Sequence, residues 1–172
     1  GNLDMGVFED GSNECTIHNN KIGLLYDGMT SLSNNLGINV DNGANGLFIG
    51  GLLDEATRNY ITANNDKNIL IRNANTIQVL GNVIGLDEGG VGTPQTSPHG
   101  IVIDGTGAFN IQIGDAGNVN SRNYIAGNLK AIHVVNSGGA VGIYNNFIGT
   151  DMAGTNAISN QDIGIEIEGT AN

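Results

Sequence analysis

The chain has no tryptophan, two prolines, one cysteine, and aromatic residues at only 5% of 172 positions. A single cysteine, Cys15, excludes an internal disulfide framework, so packing and hydrogen bonding must hold the fold. Cys15 sits at an inward position of a short alternating segment and reads as a packed core thiol. Strong bases are also scarce. Lys21, Arg58, Lys67, Arg72, Arg122 and Lys130 stand against 17 acidic residues, for a net charge of −11. No basic patch can neutralise phosphates, which argues against nucleic acid as a partner and disfavours anionic membrane surfaces. No apolar run approaches the roughly 18 residues of a membrane span, so no membrane insertion is expected. No signal peptide is visible, but Gly1 is not a native start, which is compatible with removal of one. No helical 3.6-residue period persists over a useful length, which leaves no Gly-rich phosphate loop at a helix start.

Glycine and asparagine fill the space these residues leave, with 28 Gly and 27 Asn. They are distributed with a period. Asn82-Val83-Ile84-Gly85 returns as Asn146-Phe147-Ile148-Gly149, and earlier as Asn20-Lys21-Ile22-Gly23. Arg58-Asn59-Tyr60-Ile61 returns as Arg122-Asn123-Tyr124-Ile125. Gly100-Ile101-Val102-Ile103 returns as Gly164-Ile165-Glu166-Ile167, and as Gly37-Ile38-Asn39-Val40. Repeats at fixed spacing mark a stacked, quasi-one-dimensional fold in which distant residues form columns.

The repeat divides again. The apolar positions Phe8, Val40, Ile71, Ile103, Val134 and Ile167 follow one another at steps of 32, 31, 32, 31 and 33 residues. Each coil is therefore about 32 residues long, with five coils and the start of a sixth. Every coil carries three short segments of period-two alternation bounded by Gly, Asn and Asp, which read as strands. Three strands per coil in constant order predict an all-β, single-stranded parallel β-helix forming one domain over residues 1–172. Coils about 4.8 Å apart would make a stack about 25 Å tall. The asparagines of the N-x-I runs, Asn20, Asn59, Asn82, Asn123 and Asn146, fall at one corner. Amides stacked there can bond to their neighbours above and below.

The runs Asn146-Phe147-Ile148-Gly149-Thr150-Asp151-Met152-Ala153-Gly154-Thr155 and Gly164-Ile165-Glu166-Ile167-Glu168-Gly169 resemble repeats of bacterial right-handed parallel β-helix proteins of the pectin-lyase-like superfamily. The resemblance covers nearly the whole chain. It implies a right-handed coil and an extracellular or cell-surface location. It also implies membership of a group that mixes polysaccharide lyases, hydrolases, epimerases and surface proteins, so activity must be argued from side chains.

Outward columns supply the candidates. On the first strand of each coil one column reads Val7, Asn39, Leu70, Val102, His133, Glu166. The next reads Glu9, Asp41, Arg72, Asp104, Val135, Glu168. Asp41, Arg72 and Asp104 would lie on consecutive coils. In residue type they resemble the acids and arginine base of superfamily lyases; by their own chemistry they form a cross-coil ion-pair ladder. Ser97-Pro98-His99-Gly100 is similar to an Asp-Pro-His run of alginate epimerases, with Ser97 in place of the acid, and His99 reads as a corner residue. His18 and His133 fall on different strands and coils, and no zinc or iron site is expected. On the third strand the outward column is Lys21, Tyr60, Val83, Tyr124, Phe147. Such a strip signals a covering loop, self-association or a carbohydrate face, which gives Tyr60, Tyr124 and Phe147 as candidate ligand contacts.

Long loops alternate by coil: 24–35, 86–98 and 150–161 after the third strand, 50–58 and 114–122 before it. The acidic runs Asp87-Glu88-Gly89-Gly90 and Asp115-Ala116-Gly117-Asn118 could attract calcium but lack a calcium-loop spacing, so no cofactor is assigned. Both ends look cut, because neither shows the polar cap that stacked repeats use. The expectation is a non-catalytic structural or carbohydrate-binding module of a secreted or surface bacterial protein. It would contact polysaccharide, or another copy through its end coils. The competing class is a calcium-dependent lyase or epimerase acting on uronate polymers.

Overall fold

The computed structural model describes residues 1–51, 55–92 and 96–169. They form a parallel β-solenoid of about five coils with three sheets. The first sheet stacks β1 (Met5–Asp10), β4 (Leu36–Asp41), β7 (Lys67–Arg72), β10 (His99–Asp104), β13 (Lys130–Val135) and β16 (Ile163–Glu168). The second stacks β2 (Thr16–Ile17), β5 (Phe48–Gly50), β8 (Asn75–Leu80), β11 (Phe109–Ile113) and β14 (Val141–Ile143). The third stacks β3 (Lys21–Ile22), β6 (Tyr60–Ile61), β9 (Val83–Ile84), β12 (Tyr124–Ile125) and β15 (Phe147–Ile148). Every pairing is parallel, as it must be when each strand meets its own equivalent one coil on.

Register follows the repeat. Ile38, Ile69, Ile101, Ile132 and Ile165 are mutual partners in the first sheet, at steps of 31, 32, 31 and 33 residues. In the third sheet Ile22, Ile61, Ile84, Ile125 and Ile148 form the expected single column. Ile61, Ile84 and Ile125 are fully buried, while Ile22 and Ile148 lie at the two ends of the column. These inward columns make one continuous core. Cys15 packs against it, half-buried.

The first coil departs from the expected register by one residue. Phe8 pairs with Asn39, and Glu9 with Val40. Phe8 therefore points outward and is about half exposed, while Val7 joins the core and Glu9 takes the inward column. Apolarity favoured Phe8 inside. In the register adopted, Gly6 stands against Gly37 at a tight corner, where a Cβ on Gly6 would lie 2.7 Å from the Gly37 carbonyl. A one-residue shift would bring a side chain to that corner and turn every side chain of the strand to the other face.

The corner amides run continuously. Asn20, Asn59, Asn82 and Asn123 each donate from Nδ2 to the Oδ1 of the next amide, ending on Asn146, at 3.0, 2.9, 3.1 and 2.9 Å. A second ladder stands at the corner before the first sheet. Asn34 donates to Asn64 and Asn128 to Asn160, at 2.9 and 3.4 Å. Between them the corner residue is Ser97, too short to bridge two coils. Asn68 fills the gap from β7, accepting from Asn64 at 2.8 Å and from Ser97 at 3.0 Å, and donating to Asn128 at 2.9 Å.

Long loops leave the barrel at glycines with positive φ: Gly23, Gly50, Gly85, Gly114 and Gly149. Gly85 shows why. Its φ is 85°, and a Cβ there would meet the Ala126 carbonyl at 2.0 Å. The loops after β3, β9 and β15 fold back on themselves through the antiparallel bridges Leu24–Ser31, Leu86–Gly92 and Thr150–Ala157. Those before β6 and β12 each hold one 3-10 turn, Glu55–Thr57 and Val119–Ser121.

Candidate functional site

The outward face of the first sheet carries ionisable side chains on every coil. Its three columns, corrected for the first coil, read Met5, Leu36, Lys67, His99, Lys130, Ile163; then Phe8, Asn39, Leu70, Val102, His133, Glu166; then Asp10, Asp41, Arg72, Asp104, Val135, Glu168. An apolar patch crosses the face, in which Leu36, Leu70 and Val102 are buried against Met5 and Val135. Toward the last coils the face holds His99, Lys130, His133, Glu166 and Glu168.

Asp41, Arg72 and Asp104 occupy consecutive coils of one column. The pairing is unequal. Arg72 gives both Nε, at 2.8 Å, and Nη2, at 2.5 Å, to Asp41 Oδ2, and Asp41 is almost fully buried. Asp104 acts on Arg72 only through its charge. The hydrogen bonds Arg72 donates to Asp41 push the Arg72 pKa up, and the Asp41 charge adds to them. A proton-abstracting arginine needs the opposite shift.

Higher on the same face, His99 and His133 stack, with ring centroids 5.8 Å apart and planes 18° from parallel. Burial lowers the His99 pKa, and the neighbouring Lys67 lowers it further. Lys130 Nζ lies 2.5 Å from Glu166 Oε2. That hydrogen bond holds the Glu166 carboxyl below its usual range and the Lys130 ammonium above its own. His133 faces both Glu166 and Glu168, the one group of three histidine, cysteine or acidic donors able to share a metal ion among the described residues. His133 and Glu166 fall in one outward column of the sequence repeat, so the signal was present. Glu168 belongs to the adjacent column, and its convergence with His133 is a diagonal contact that reading single columns misses. His18 stands apart, exposed beyond the second sheet.

The third-sheet strip is largely covered by the chain itself. Val83 is fully buried with Leu86 and Ala126, and Tyr60, Tyr124, Met152 and Ile158 pack against them. Met152 and Ile158 come from the loop after β15, and Leu86 from the loop after β9. The aromatic faces carry cations: Arg58 lies over Tyr124 at 5.0 Å and Arg122 over Phe147 at 4.3 Å. Tyr124 and Phe147 meet edge to face, 5.6 Å apart at 83°. Tyr60, Tyr124 and Phe147 thus form one half-buried cluster, and sugar stacking there would have to displace an arginine or use the ring margins. No helix is long and apolar enough to cross a membrane among the described residues.

Of the acidic loop runs, Asp87 accepts from the Val91 amide at 3.1 Å and Asp115 from the Gly117 amide at 2.9 Å. Both are turn-forming contacts within the loop.

Comparison with protein families, with curated proteins and with solved structures gave no match.

Proposed function

We propose that the chain is a non-catalytic β-solenoid module of the pectin-lyase-like type, part of a secreted or surface bacterial protein. Its role is to hold a rigid, repetitive surface against polysaccharide or against another copy of itself. The observation that carries the non-catalytic reading is Arg72. Two of its donors are spent on one oxygen of Asp41, and its proton is held more tightly than in free arginine. That is the chemistry of a cross-coil tie. A uronate lyase of the resembling kind needs an arginine free to take a proton. Rigidity is supported by the two amide ladders and the continuous isoleucine columns, which commit both corners and core to structure.

Incubation with polygalacturonate and with alginate, with and without calcium, tests the reading. The expected result is no unsaturated uronate product from the wild type. Product that disappears on Arg72→Ala, while circular dichroism stays unchanged, overturns it in favour of the calcium-dependent lyase class. Affinity electrophoresis through the same polymers tests the binding role. Retardation of the wild type, weakened in Phe147→Ala, is expected if the half-buried aromatic cluster contacts sugar.

A further inference from the structure

The last two rungs of the first sheet set an imidazole between two carboxylates. His133 on β13 lies directly opposite Glu166 on β16, and Glu168 follows two residues later on the same face. His133 Nε2 is 3.5 Å from Glu166 Oε2 and 3.6 Å from Glu168 Oε2. The three donor atoms lie within 4.8 Å of one another. Nε2 is itself buried and has no hydrogen-bond partner. Buried polar atoms are nearly always satisfied, so one left open beside two carboxylates indicates a missing group.

The spacing identifies the kind of group. Donors bound at about 2.1 Å to one tetrahedral ion sit about 3.4 Å apart. The two separations around Nε2 are close to that edge. We propose that His133, Glu166 and Glu168 bind a divalent first-row transition cation, zinc being the representative ion. One imidazole nitrogen with two carboxylate oxygens suits such an ion. Calcium collects roughly six to eight oxygens and gains little from a nitrogen. Three protein donors leave a position for water or an exogenous ligand.

The scaffold prepares the site. β13 is paired on both sides, by β10 and β16, and β16 is held to it through the Ile132–Ile165 and Val134–Ile167 pairs. The His99 ring, stacked on His133, fixes the imidazole plane. The opposing element is Lys130, whose ammonium holds Glu166 Oε2 at 2.5 Å. That is the oxygen 3.5 Å from His133 Nε2, so an ion bound at this spacing takes the place of the Lys130 ammonium on it. With two carboxylates against one ammonium, the cluster keeps a negative balance that favours a cation. An ion there would join β13 to β16 and so pin two successive coils together.

Titration calorimetry on the untagged chain with zinc chloride, against calcium and magnesium chlorides, tests this. One zinc site per chain is expected, with no comparable binding of the two hard cations. His133→Gln and Glu168→Gln should each weaken zinc by at least about 10-fold, since even outer-shell partners of metal ligands contribute that much. Glu168 is more than half exposed, so its replacement leaves the packing intact if His133→Gln proves unstable. His18→Gln should change nothing. The His133 Nε2 resonance in a 15N-labelled sample must shift on adding one equivalent of zinc. Unchanged affinity in Glu168→Gln, equal weakening in His18→Gln, calcium binding as tight as zinc, or an unmoved His133 resonance would each overturn the proposal.

Discussion

Replacing Asn123 with alanine removes the fourth of the five amides in the corner ladder, and its cost can be worked from the bonds it makes. Asn123 is fully buried. Its Oδ1 accepts from the Asn82 backbone N–H at 3.0 Å and from Asn82 Nδ2 at 3.1 Å. Its Nδ2 donates to the Val79 carbonyl at 2.8 Å and to Asn146 Oδ1 at 2.9 Å. Asn82 Nδ2 keeps two other acceptors, the Ile49 and Leu80 carbonyls. Asn146 is only half-buried, so water can reach it. The Val79 carbonyl keeps the Gly114 N–H at 2.9 Å. One group is left without recourse, the Asn82 N–H, and at about 1–3 kcal/mol for a buried orphan the loss is about 1–3 kcal/mol. Asn123→Asp should be worse, because its second oxygen would face two acceptors and carry a buried charge. Asn20 is the internal control. It is exposed, its Nδ2 donates to the His18 carbonyl and to Asn59, and water can replace both bonds. Urea unfolding followed by far-ultraviolet circular dichroism gives the comparison. The reasoning is refuted if Asn123→Ala costs no more than Asn20→Ala, or if Asn123→Asp is the milder of the two substitutions at that position.

Three further outcomes are expected. Ile84→Ala, at a fully buried position with isoleucine on both neighbouring coils, should cost about 2–5 kcal/mol, and Ile148→Ala, half-buried, distinctly less; equal losses in urea titrations would contradict the column. The double substitution Asn68→Ala with Ser97→Asn rebuilds a regular corner ladder, so it should be less damaging than the sum of the two singles by about 1 kcal/mol or more in a double-mutant cycle; strict additivity would show that Asn68 does not substitute for the corner amide. The Thr30 hydroxyl and then the Thr30 and Met29 amides lower the Asp27 pKa from 3.8 to about 2, and the Asn156 side-chain amide and then the Thr155 amide do the same for Asp151; this stabilisation is complete above 3.8 and is lost as pH falls through about 2. The Thr30 and Thr155 amide proton shifts, which report bonds of 2.9 and 2.8 Å to these carboxylates, should titrate near 2, and midpoints near 4 would remove the effect.

The coil length, the three strands and the isoleucine column were legible in the sequence because stacking imposes one constraint many times over. An isoleucine at 84 must meet its equivalents at 61 and 125, and a change of parity in any middle coil would empty the core. The first coil lacks that double constraint. It has a neighbour on one side only, and Met5-Gly6-Val7-Phe8-Glu9-Asp10 offers apolar residues at both parities. In the register adopted Gly6 meets Gly37 at a tight corner, a backbone fit that hydropathy does not register. The second ladder is not legible in the repeat, because Ser97 breaks the asparagine pattern at the corner and Asn68 restores it from a strand position. Its donors and acceptors are continuous in space and discontinuous in the repeat.

The same geometry explains why function is harder to read than fold in such a chain. A core residue answers to the residue directly above and below it, so columns suffice. A binding group on the surface answers to everything its side chain can reach, including the diagonal neighbour two residues along the next strand. His133 and Glu166 share a column, whereas Glu168 shares one with Val135 and Asp104. Only the length of a glutamate side chain and the 31-to-33-residue stacking of the backbone bring Glu168 Oε2 to 3.6 Å from His133 Nε2. Chemistry on a β-solenoid therefore appears when side-chain reach is laid over the register. Arg72 obeys the rule in the opposite sense. Its column neighbour Asp41 satisfies it directly, and an arginine so satisfied is a tie between coils.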